Sequence, residues 1–342
     1  MWRPNCLAWL VLLSLSSHVQ AADEDAPNRK PVKVVADARL AVGSQGILPL
    51  YLSSDWTLPL PAISRAVIVL HGRLRNADVY YQSATTAQFA AGDEGKAALM
   101  IVPQYLAEID IEAHKLPAET LRWSLEGWEG GDAALAPNPV SSFEALDAIL
   151  AKLADRRIFP NLKQVVVAGH SGGGQVAQRY AIAGRGEATL SRQHIDIRYV
   201  VSNPSSYAYF SKERPEPAIA ASCPGYNNWK YGMDERPPYL ADATPAALEA
   251  RYVEREVIYL LGTLDTNPEH PALDKSCMAK AQGPFRYARG HAFAETMAKR
   301  DKGTPNHKVW DVVGVGHDAD KMLTSKCGLA ALFDLPGCTA DR

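Results

Sequence analysis

The run QVVVAGHSGGGQ, from Gln164 to Gln175, constrains this chain more than any other stretch of it. Three consecutive valines, Val165 to Val167, favour a pleated strand and leave no polar face, so the strand must be covered on both sides. The glycines that follow stop the strand abruptly around Ser171, in a G-x-S-x-G arrangement, and the residues from 172 to 183 read as a helix. A serine on so sharp a strand-to-helix turn takes a strained backbone conformation and presents its hydroxyl outward. Gly169 and Gly173 keep side chains out of the crowded turn. The backbone N–H of Gly172 and the helix N-terminus then face any negative charge that develops nearby. The five-residue pattern alone is common by chance, and the alternative is an inert serine in a glycine-rich turn. The strand before it and the helix after it favour a nucleophile.

Other apolar, β-branched runs recur along the chain: 47–52, 66–70, 97–102, 197–201, 257–261 and 309–313. Pro49 marks the first of these as an edge strand. Helical patterns fall between them, near 172–183, 244–254, 286–300 and 318–333. Ser141 and Glu144 have capping-box spacing, ahead of an apolar stripe at Leu146, Ile149, Leu150 and Leu153. Alternating strands and helices predict an α/β protein with a mostly parallel sheet and helices on both faces. Segments 104–140 and 203–243, rich in Trp, Tyr, Gly and Pro, break the alternation and read as inserted, cap-like segments. Residues 22–32 read as a flexible lead-in. With 342 residues, 47% hydrophobic and 22% charged, the composition is that of a globular protein. A net charge of −2 gives no strong attraction to nucleic acid or anionic lipid.

These motifs in this order resemble the α/β-hydrolase superfamily, over about residues 40–333. More narrowly, FPNLK at 159–163 and CPGYNNWKY at 223–231 resemble a group of secreted microbial serine hydrolases. The resemblance implies residue roles. The His71-Gly72-Arg73-Leu74 stretch after strand 66–70 would supply the second oxyanion donor, the Arg73 N–H first and Leu74 second, beside Gly172. His71 reads as a structural histidine. His317, just after the last strand, takes the place of the base; the alternative is a surface-loop histidine. Asp265, after strand 257–261, takes that of the acid, with Glu269 in reserve and a plain turn-forming Asp as the alternative. A calcium loop over Asp265, Asn267 and Glu269 lacks a full ligand set. Neither a metal nor a cofactor is called for. The reaction expected is carboxylic ester hydrolysis through an acyl-enzyme on Ser171, His317 and Asp265, of a small-molecule or polymeric ester. An amidase or peptidase, an acyltransferase, or a non-catalytic binding protein of the same fold are the alternatives.

Residues 1–21 read as a signal peptide: Arg3, a short apolar run from Cys6 to Leu15, and Val19-Gln20-Ala21 at the cleavage spacing. The apolar run is too short for a comfortable membrane span. The protein is therefore expected to be secreted or periplasmic, with residues 22–342 forming a single domain. Its four remaining cysteines suit two disulfides, of three possible pairings. Cys327–Cys338, which closes a short loop, and Cys223–Cys277 are preferred, each worth ~2–4 kcal/mol. Trp123, Trp128, Tyr226, Trp229 and Tyr231 are candidates to line an apolar substrate pocket; the alternative is that they pack the inserted segments. The sequence leaves the oligomeric state open.

Overall fold

A computed structural model describes residues 27–300 and 306–338, so the expected signal peptide at 1–21 lies outside the described residues. Ten strands follow one another among the described residues. They are β1 (Ala38–Ala41), β2 (Ile47–Leu52), β3 (Arg65–Leu70), β4 (Ala98–Pro103), β5 (Leu106–Ala107), β6 (Arg122–Trp123), β7 (Gln164–His170), β8 (Asp196–Ser202), β9 (Glu256–Gly262) and β10 (His307–Val312). Eight form one sheet in the order β1-β2-β4-β3-β7-β8-β9-β10. The β1–β2 and β2–β4 pairs are antiparallel and the others parallel. β5 and β6 make a small parallel pair of their own.

The expectation that 47–52 would be an edge strand is corrected: β1 covers it on one side and β4 on the other. Pro49 pairs with Arg39 in the β1–β2 ladder, but its carbonyl, and with it the missing donor, faces the β4 side, where the ladder runs only from Leu50 to Leu52. Its carbonyl is used, accepting from Gln104 N at 2.9 Å.

The central strands are apolar throughout because each face is covered by a different layer. Ile68, Val165, Val167, Tyr199, Val257 and Tyr259 pack into one cluster with Leu146, Ile149, Val176, Leu248 and Phe293. Val67, Val69, Val166, Val200 and Ile258 point the other way, against Ala84, Met322 and Leu332. The helices on the first face are Ser142–Leu153, Gly172–Ala183, Pro245–Glu254 and Arg286–Ala298; Ala77–Ala90, Ala319–Thr324 and Lys326–Phe333 cover the second. Helix 142–153 starts on the expected cap: Ser141 Oγ accepts from Phe143 N, and Glu144 Oε2 accepts from Ser141 N. The helix expected over 318–333 breaks in two at Ser325, which is extended and uses its hydroxyl to accept from Gly328 N, capping the second piece. Among the described residues no helix is long and apolar enough to cross a membrane.

Described residues of the lead-in are anchored, contrary to the flexible reading of 22–32: Asn28 and Val32 are buried. A fully buried ion pair holds them. Arg75 binds Asp110 through Nε at 2.7 Å and Nη2 at 3.0 Å, and donates to the carbonyls of Asn28 and Lys30. Asp110 in turn accepts from the amides of Val32 and Ala107. Every polar atom of the carboxylate is used, which is what makes a buried charge tolerable. Two disulfides, Cys223–Cys277 and Cys327–Cys338, tie segment 203–243 to the stretch after β9 and the last helix to the chain beyond it.

Replacing Asp110 by Ala leaves the Arg75 guanidinium buried without its partner. The expected loss is about 3–5 kcal/mol of unfolding free energy, measured by urea denaturation with the disulfides oxidised.

Candidate functional site

Chemistry-bearing side chains gather where the parallel strands end, at the loops after β3, β7, β8, β9 and β10. β7 delivers Ser171 directly. The serine has φ 59° and ψ −119°, a left-handed backbone conformation that costs about 1–3 kcal/mol for a non-glycine residue. It persists because neighbours pin it: Ser171 N donates to Ser202 O at 3.0 Å, and Ser171 O accepts from Gln175 N to start the helix. The turn closes only without side chains. A Cβ on Gly169 would stand 2.1 Å from Gly173 O, and one on Gly173 would stand 2.0 Å from Leu70 O.

The loops after β9 and β10 bring Asp265 and His317 to this serine. His317 Nε2 lies 2.9 Å from Ser171 Oγ, and His317 Nδ1 lies 2.7 Å from Asp265 Oδ2. The geometry assigns the tautomer: Nδ1–H donates to the carboxylate, which leaves Nε2 to accept from the hydroxyl. Burial holds the His317 pKa below the ordinary value of 6.5; the Asp265 hydrogen bond opposes that shift and the Arg286 charge adds to it. Burial pushes the Asp265 carboxyl up, but its hydrogen bond to His317 and the His317 and Arg286 charges leave it below its usual value. Arg286 Nη1 stands 3.3 Å from Asp265 Oδ1, and its Nε donates to Ser205 Oγ. The imidazole is also flanked by two others, His170 with ring centroids 4.5 Å away and His270 at 4.9 Å.

The loop after β3 passes over the same point. A Cβ on Gly172 would stand 2.9 Å from Arg73 N, so the backbone at residue 73 passes directly against the residue that follows the serine. His71 is fully buried beneath the loop; its Nδ1–H donates to Gly72 O at 2.8 Å and its Nε2 accepts from Tyr105 N at 3.0 Å. Burial lowers its pKa to about 4, so it stays neutral and fixes the loop. The Arg73 side chain turns aside to Glu126 Oε1 at 3.1 Å.

A pocket of about 290 Å³ opens at Ser171 and Gly172. Segment 104–140 supplies Glu126 and Glu129 to its wall, and segment 203–243 supplies Ser205, Lys230 and Tyr231. The apolar aromatic pocket is therefore corrected to a polar one. Of the aromatic candidates only Tyr231 lines it, with its hydroxyl donating to Asp274 Oδ2 at 2.7 Å. Trp123 and Trp128 are fully buried, pack on Tyr105, and spend their indole N–H groups on Val140 O and Leu125 O. Tyr226 lies under Arg214 at 5.2 Å, and Trp229 faces an adjoining hollow, its Nε1 donating to Gly130 O. A larger hollow of about 660 Å³ opens at the other end of the sheet, around Asp196, Glu256 and Lys308. Its serine, Ser191, donates to Glu187 O, so the smaller pocket is the one with an arranged nucleophile.

Sequence reasoning passed over Arg286, Glu129 and Gln175. Arg286 had left a signal: with Arg289 it puts two cations in the first turns of a helix, where the dipole disfavours them, so each needs an anionic or carbonyl partner. Arg289 finds Gly283 O, Ser205 O and Asp274 O. Glu129 had only its odd company, a carboxylate within GWEGG.

No family model matches the chain, and no curated protein matches it in sequence. Among solved structures it is similar to LpqC, a poly(3-hydroxybutyrate) depolymerase from Bordetella parapertussis. That match has 22% identity, covers 89% of this chain and 92% of that one, and has a TM-score of 0.62. It is also similar to poly(aspartic acid) hydrolase-1 from Sphingomonas sp. KT-1, at 21% identity over 89% and 99% of the two chains, with a TM-score of 0.60. These likenesses, together with the sheet order, show that the chain has the α/β-hydrolase fold.

Gly173→Ala would drive a methyl group into the Leu70 carbonyl, which belongs to a rigid central strand. The variant is expected to lose about 3 kcal/mol or more of stability, read from its thermal or urea unfolding midpoint against wild type.

Proposed function

We propose that the protein is an exported serine hydrolase that cleaves a carboxylic ester, small or polymeric, through an acyl-enzyme. The reading rests on one observation above the rest, the unbroken chain of contacts from Ser171 Oγ through His317 to Asp265. His317 Nε2 takes the hydroxyl proton as Ser171 Oγ attacks the ester carbonyl. Asp265 keeps the imidazole in the working tautomer and balances the imidazolium as it forms. The amides of Gly172 and Arg73 receive the oxyanion, an interaction worth about 3–4 kcal/mol of barrier per donor. His317 then gives the proton to the departing alcohol. Water, deprotonated by the same imidazole, releases the acid. Export is supported by the leader-like residues 1–21 and by two disulfides, which persist in oxidising compartments. The chain from residue 22 onward acts as one domain, with segments 104–140 and 203–243 walling the pocket.

Ser171→Ala is expected to fold as wild type does and to lose ester hydrolysis by about 10⁴-fold or more. A fluorophosphonate should label wild type at Ser171, seen as a mass increment on the peptide that carries it. Folded protein that takes no label there would overturn the reading.

The pH profile offers a second check. The base works only when neutral, and His317 has a pKa below 6.5, so activity should persist as pH falls through 6.5 and be lost only at lower pH. An acid-limb midpoint of kcat/KM at or above 6.5 would contradict the site as described.

A further inference from the structure

One buried carboxylate in the pocket has no part in the proposed proton relay. Glu129 lines the pocket beside Ser171 and Gly172, and its side chain is only 5% exposed. It is rigidly held. Its backbone carbonyl accepts from Arg179 Nη1, and its Oε2 accepts from Gln175 Nε2 at 3.1 Å and Lys230 Nζ at 3.3 Å. Arg179 and Gln175 are themselves locked to one another and to Ser206. Among the described residues no hydrogen bond reaches the other oxygen, Oε1. That oxygen faces the reaction centre: a Cβ on Gly172 would stand 2.8 Å from it and 2.9 Å from Arg73 N.

A half-used carboxylate is costly at this place. Its negative charge lies within a few ångströms of where the oxyanion forms, and like charges in a partly dry site repel strongly. Lys230 offsets part of that charge from the far oxygen. A hydrogen-bond donor on the substrate would satisfy Oε1, and a cationic donor would also cancel the repulsion. The basic side chains of the wall are not free to receive an anion. Each basic side chain there is already paired: Arg73 with Glu126, Lys230 with Glu129, and Lys275 with Glu269. Asp274 adds a further carboxylate, held by Tyr231 and by the Ser276 amide.

We propose that Glu129 determines specificity, and that its Oε1 receives a protonated amine carried on the α or β carbon of the acyl group. The short reach follows from the closeness of Oε1 to Gly172. The proposal rests on the serine-hydrolase reading and names the substrate class of that site: aminoacyl esters.

The test compares ethyl butyrate, ethyl 3-hydroxybutyrate and ethyl 3-aminobutyrate at pH 7, by ethanol release, with wild type, Glu129→Gln and Ser171→Ala. Wild type should favour the amino ester over the plain one by about 10- to 100-fold in kcat/KM, the range for a hydrogen bond to a charged group, with the hydroxy ester between them. Glu129→Gln should cross the two, lowering the amino ester about tenfold and raising the plain ester as the repulsion on the oxyanion disappears. Wild type that shows no preference for the amino ester overturns the proposal whether or not the variant folds. So does a folded Glu129→Gln that changes all three esters alike. If Ser171→Ala abolishes turnover while the preference is missing, only the role of Glu129 fails; if Ser171→Ala keeps turnover, the serine reading fails.

Discussion

Ser171 sits where a right-handed helix must begin directly on the last residue of a central strand, and the whole site depends on that junction. The chain can make the turn only if residue 171 takes a left-handed conformation and if Gly169 and Gly173 contribute no side chain. The strain is held in place from both sides, by the Ser202 carbonyl on the neighbouring strand and by the loop after β3. A parallel sheet makes this possible because its strands end together. Four loops from four strands then meet the serine at one edge, and none of them needs to be long to reach it.

Around that junction the protein buries an unusual number of charges, and each has a structural task. Arg75 and Asp110 fasten the lead-in to the loop that carries Arg73. Arg286 steadies Asp265 from behind, while Arg179 binds Glu129 O, Gln175 Oε1 and Lys230 O and so fixes the wall of the pocket. Burial places these groups in a low local dielectric, which strengthens the electrostatic interactions among them. The same burial keeps His71 neutral and holds His317 below its ordinary pKa, so the histidines beside the serine are unprotonated near neutral pH. The disulfide from Cys223 to Cys277 joins two stretches that both border the pocket, adding a covalent link to the hydrogen bond between Glu216 N and Ala281 O.

Local patterns revealed the architecture well where one physical rule dominated. Runs such as 165–168 and 257–261 are apolar at every position, and only burial on two faces tolerates that. Ser141 and Glu144 announced a helix start because cap chemistry is completed within four residues. Pro49 misled because its lost donor was weighed against a full ladder, whereas the ladder stops one residue short of it. Ser325 hid inside an apolar helical pattern and broke it, since a hydroxyl that caps the next turn competes with continuing the last.

Local pattern was enough for the strand-elbow-helix at Ser171 and for the order Ser171, Asp265, His317, because strand burial, glycine-permitted turns and the succession of loops are properties of neighbouring residues. The character of the pocket, by contrast, emerges from long-range packing. Trp123 and Trp128 lie in the same segment as Glu129, yet the tryptophans turn into the core and the carboxylate turns to the serine. The choice depends on His71, Arg179, Gln175 and Lys230, which come from other parts of the chain and meet there only when it folds.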